Sequence, residues 1–144
     1  MGIQCDFFVA DHADALQYDQ LMRAGELPSA SRYQRREWKS LTTLEIETLW
    51  AIIDRRPWTP DDGVLEFLGD EGDGETWLAR FPAPLVASLA ALAGGERVRI
   101  ISEWSVTEEM ASPPEEVAPI VDCLVDLART ASEKGRGLYL WGSV

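Results

Sequence analysis

Histidine occurs once in the 144 residues, at His12, and cysteine only twice, at Cys5 and Cys123. A single imidazole excludes multi-histidine zinc sites and the His-Glu-x-x-His helix. Two thiols make no disulfide framework, and each lies among apolar neighbours, where it packs as a small hydrophobe. Reduced thiols of this kind point to the cytoplasm. Positive charge is scarce as well: 13 Lys and Arg stand against 25 Asp and Glu, a net charge of −12. Phosphate contacts need a positive field and anionic lipid repels an acidic surface, so neither nucleic acid nor membrane is expected as a partner. Long apolar runs are missing too. The longest, Leu85 to Ala93, is broken by Ser88 and falls well short of the roughly 18 residues a membrane span needs. The start of the chain has no basic segment of the signal-peptide kind. There is no Walker A loop and no Gly-x-Ser-x-Gly elbow, and Gly69-x-x-Gly72-x-Gly74 has the wrong order for a dinucleotide site. No cofactor and no metal site is therefore expected.

What is present is enough apolar material, 46% of the residues, for one core. Residues 3–10 read as a strand around Phe7-Phe8, and Asp11 can cap a helix over 12–24 that Gly25 ends. Residues 26–40 are polar and irregular. Thr42 and Glu45 have capping-box spacing, and Leu41 can staple onto Ile46. Ile46, Leu49, Trp50 and Ile53 then form a helical core stripe, and Pro57 stops it. Val64 to Leu68 and Thr76 to Phe81 read as a hairpin around an acidic, Gly-rich loop. Pro82 and Pro84 open a helix that Gly94-Gly95 closes. Residues 96–110 fit helix better than strand, through Val98, Ile101 and Trp104. Ser112-Pro113-Pro114-Glu115 begins a helix with Val117, Ile120, Val121, Leu124, Leu127 and Ala131 on one face, ended by Lys134-Gly135. Leu138 to Trp141 is a closing strand. The expected fold is α+β, one domain over residues 1–144: a small mixed or antiparallel sheet with N- and C-terminal strands and a central hairpin, packed by about five helices.

Candidate site residues come from charge and tryptophan. Residues 1–57 carry 7 basic and 9 acidic side chains, whereas residues 58–144 carry 6 and 16. The one basic cluster, Arg32, Arg35, Arg36 and Lys39, is expected to pair with the acidic C-terminal half. Trp58 lies in loop-like sequence beside Asp61 and Asp62, as a partner-binding anchor would. Glu108-Glu109 follow Trp104 by about one helical turn, which allows a Trp-lined acidic pocket, although a solvated face is the plainer outcome. The loop with Asp70, Glu71, Asp73 and Glu75 lacks the EF-hand order of acids and reads as a solvated hairpin loop.

Four stretches resemble small uncharacterised bacterial proteins, including the YfbM-like group. These are Met1-Gly2 before the first strand, Leu49-Trp50, Trp104-x-x-Thr107-Glu108-Glu109, and Gly137-Leu138-Tyr139-Leu140-Trp141. The resemblance implies a compact α+β domain of bacterial origin and carries over no catalytic or binding residue. Sequence alone does not determine a function here. The favoured expectation is a non-catalytic acidic module that binds, and neutralises or inhibits, a basic protein, with Trp58, Asp61, Asp62, Trp104 and Glu108 as binding residues. The alternative is a small carboxylate-dependent enzyme, without metal or nucleotide cofactor, using Asp61, Asp62 and Glu108.

Overall fold

In the computed structural model, which describes residues 2–61, 64–68 and 74–144, the first and last strands lie side by side within one antiparallel sheet. β1 (Gln4–Ala10) pairs along its length with β5 (Gly137–Ser143), Gln4 opposite Ser143 and Ala10 opposite Gly137. β2 (Arg36–Lys39) flanks β1, β4 (Thr76–Arg80) flanks β5, and β3 (Glu66–Leu68) forms the far edge, giving the order β2-β1-β5-β4-β3. The helices are α1 (His12–Arg23), the single turn α2 (Ala30–Tyr33), α3 (Thr43–Ile53), α4 (Ala83–Ala90), α5 (Gly94–Ser105) and α6 (Pro114–Lys134). This is the expected α+β architecture, with terminal strands and a central hairpin, and its sheet is wholly antiparallel. Residues 69–73 of the acidic hairpin loop lie outside the described residues. No helix among the described residues is long and apolar enough to cross a membrane.

Strand alternation gives the sheet two apolar faces. Cys5, Phe7, Val9, Ala79, Phe81, Leu138 and Leu140 pack against residues from α3 to α6 in the larger core. Phe8, Ala10, Leu78, Tyr139 and Trp141 face the other way, under Ala15 and Tyr18 of α1 and Tyr33 of α2. On the first face Gly142 lies beneath the Trp77 indole. A Cβ there would stand 2.3 Å from Cε2, so the absent side chain is what lets the Trp77 ring lie over its directly paired residue.

The helix starts follow local chemistry. Asp11 accepts the Asp14 N–H at 2.8 Å. Thr42 and Glu45 form the full capping box, with Leu41 and Ile46 both buried beside it. Other boundaries differ from the sequence reading. Gly94-Gly95 open α5 instead of closing α4, which already ends at Ala90. The buried stripe of α5 is Ile100 and Trp104, and Val98 is 67% exposed. α5 stops at Ser105, where the Thr107 hydroxyl donates to the Trp104 carbonyl at 2.7 Å and accepts the Met110 N–H at 3.3 Å. The N-cap of α6 is Pro113, not Ser112, whose hydroxyl donates to the Met110 carbonyl instead. Residues 26–40, read as irregular, contain α2 and β2.

Candidate functional site

The five residues singled out by sequence do not converge. Trp58 is 37% exposed and Asp61 exposed, both in the segment after α3, while Asp62 lies outside the described residues. Trp104 is fully buried, its indole N–H donating to the Glu45 carbonyl at 3.1 Å, which removes it from any binding face. Glu108 is exposed in the turn after α5. Among the described residues, Trp58, Asp61, Trp104 and Glu108 do not line the hollows described below, and no acidic pocket lined by Trp104 is seen there. Among the described residues no three His, Cys, Asp or Glu side chains converge as a metal site would require.

The basic cluster behaves differently from expectation. Arg32 pairs with Asp14 at 3.1 Å, and Arg35 with Asp6 at 3.0 Å and Glu37 at 3.4 Å, all acids of the N-terminal half. Sequence distance misleads here because α1, α2 and β2 all gather on the β1 side of the sheet. Arg35 and Asp6 are deeply buried, with side chains 9% and 0% exposed. The Tyr18 hydroxyl sits between them, donating to Asp6 Oδ2 and accepting from Arg35 Nε. Burial and the Asp6 carboxylate push the Tyr18 phenol well above its usual range. Burial opposes charge on Arg35, but hydrogen bonds to Tyr18 and Asp6 outweigh it and hold the guanidinium protonated. The Tyr18 ring stacks on Phe8 with centroids 3.8 Å apart. The trio is a structural brace beneath α1, since every member is turned inward.

Two adjacent hollows share β2. The larger, about 430 Å³, opens between β2 and the first turns of α6. Its apolar lining comes from Trp38, Leu41, Met110, Val117 and Ile120, and its charged lining from the carboxylates of Glu37, Glu109 and Glu116 and the ammonium of Lys39. Trp38 is half-buried and anchored by its indole N–H, which donates to Cys123 Sγ at 3.5 Å. Burial, as the leading cause, raises the Cys123 thiol above its ordinary pKa, so it stays protonated as a partner for that ring. The smaller hollow, about 340 Å³, is bounded by Gly2, Ile3, Gln4, Glu37, Trp38 and Lys39. A third, about 420 Å³, lies between Thr43, Phe67 and Trp77.

Trp38, Met110, Glu109 and Glu116, which line the larger hollow, are not among the five binding residues expected from sequence. Glu109 was visible as a member of the Glu108-Glu109 pair. The signal that joins it to Trp38 is absent from the linear pattern, because β2 reads as a run of charge. The chain matches no protein-family model, no curated protein and no solved structure.

Proposed function

We propose that the chain is a non-catalytic module that binds a basic protein through the acidic ground between the β2 edge and the start of α6. The observation that carries this reading is how the charges are divided. Among the described residues seven arginines (Arg23, Arg32, Arg35, Arg55, Arg56, Arg97 and Arg99) are held by carboxylates of the same chain. Glu108, Glu109, Glu115 and Glu116 have no such cation among the described residues, and two of them reach a hollow with an apolar floor. An apolar centre whose rim carries three carboxylates, Glu37, Glu109 and Glu116, against the one ammonium of Lys39 suits a basic partner, with charge governing encounter and the apolar contact holding the complex. Such a module neutralises its partner by covering the basic surface that the partner uses. The free thiols Cys5 and Cys123 support a reducing compartment such as the cytoplasm.

The test is capture of the partner from the source cell, followed by association kinetics at two salt concentrations. Glu108→Gln/Glu109→Gln, in a surface turn, should slow association several-fold with little effect on folding. An acidic partner, or an on-rate indifferent to both salt and the variant, refutes the reading.

A further inference from the structure

β2 is an edge strand with a determinable polarity. The Ser40 N–H donates to the Ile3 carbonyl at 2.8 Å, and the register sets Cys5 opposite Trp38 and Gln4 opposite Lys39. Directly opposed pairs in an antiparallel ladder alternate between bonded and unbonded. Ser40, Trp38 and Arg36 therefore turn their backbone groups to β1, whereas Glu37 and Lys39 turn theirs outward. Among the described residues no strand occupies that side.

The side chains alternate with the same period. By strand alternation Trp38 lies on the α6 side of the sheet and Glu37 and Lys39 on the other, and all three border both hollows. A strand laid against β2 would send alternate side chains to the two faces of the sheet beside these hollows, the arrangement by which strand addition reads sequence. Charge selects the occupant. A side chain projecting over Trp38 meets an apolar floor with Glu109 and Glu116 beyond it. A long cationic side chain satisfies both, its stem and charge on the indole and its head at the carboxylates. Arg36, the cation on that side of β2, bends back to donate to the Arg35 carbonyl at 3.1 Å.

We propose that an extended segment of a basic protein adds to the sheet along β2 as a sixth strand, setting an arginine or lysine over Trp38 towards Glu109 and Glu116. This rests on the basic-partner reading above and names the contact that serves it.

The probe is a nine-residue peptide alternating threonine and arginine, used with the full chain at low salt. Two twins carry the same charges, one N-methylated at the threonines and the other at the arginines. An added strand points the N–H groups of only one set at β2, so one twin should lose at least tenfold in affinity and the other little. The amides of Glu37 and Lys39 should gain hydrogen-exchange protection when the unmethylated peptide binds. Lys39→Pro removes an outward N–H and also the Lys39 cation; losing that cation alone would strengthen binding of a cationic peptide, so weaker binding by this variant supports strand addition. If that variant fails to fold, the twins still decide. Equal binding by both twins, with Glu37 and Lys39 unprotected, overturns strand addition and leaves the electrostatic reading standing. No binding by the unmethylated peptide at millimolar concentration overturns both.

Discussion

Removing the Arg35 guanidinium tests the brace beneath α1. In Arg35→Met the aliphatic stem is kept and the cation lost. Asp6, 0% exposed, then keeps the Tyr18 hydroxyl as its one side-chain donor, and its Oδ1 already has no hydrogen-bond partner among the described residues. An uncompensated buried charge costs about 3–5 kcal/mol, a large share of the roughly 5–15 kcal/mol that holds a domain of this kind folded. Tyr18→Phe leaves the stacking on Phe8 in place and removes only the bridging hydroxyl, so about 1–3 kcal/mol is expected. The decisive variant is the double one. Asp6→Asn in the Arg35→Met background removes the stranded charge and should recover part of the loss. Urea unfolding followed by circular dichroism gives all three values, provided the slope of stability against denaturant is unchanged. Should Arg35→Met lie within 1 kcal/mol of the parent, or the double variant be no better than the single, the pairing is not what holds α1 to the sheet.

Trp104→Ala should cost about 3–5 kcal/mol, and Trp50→Ala clearly less, because Trp50 is half-buried with Arg56 over its face at 5.4 Å; equal losses in thermal melts would refute the α3 register. Gly142→Ala should destabilise by about 1–3 kcal/mol through overlap with the Trp77 ring, and Trp77→Leu in the same chain should restore part of it in urea titration. Burial raises the pKa of Glu47, an effect partly offset by the Leu65 N–H it accepts, so ionising it opposes folding. A raised carboxyl favours the native state at acid pH and loses that contribution as pH rises through its folded pKa. Glu47→Gln should therefore gain stability relative to the parent between pH 4.5 and 7, and a constant difference would contradict the assignment.

Much of this fold is written in its local chemistry. The capping box at Thr42 and Glu45, the apolar stripe of α6 and the Phe pair of β1 each announce themselves over a few residues, and their burial follows. β2 does not, because Arg36-Glu37-Trp38-Lys39 pairs on one side only, where charged residues suit an edge strand. The start of α5 was hidden by Gly94-Gly95, which locally signal a stop. Trp104 was legible as a helical residue but not as a core one, since its burial depends on α3 supplying the Glu45 carbonyl. The groove was beyond reach for the same reason: its walls come from β2 and α6, whose meeting is a tertiary fact.

The β1–β5 ladder bears on how the chain must assemble. Its contacts join residues more than a hundred positions apart, while the β3–β4 hairpin is local. Loop-closure entropy must be met before such a pairing rewards it, which makes for high contact order and slow folding. Until β5 arrives, β1–β2 and β3–β4 are separate ribbons with exposed inner edges, a state prone to intermolecular pairing. Because Gln4 stands opposite Ser143, a short linker between those positions would close β5 and β1 into a hairpin. A circular permutant built that way and opened in the exposed 24–27 segment turns the most distant pairing into the most local one. It should reach the same sheet faster, and with less aggregation on the way.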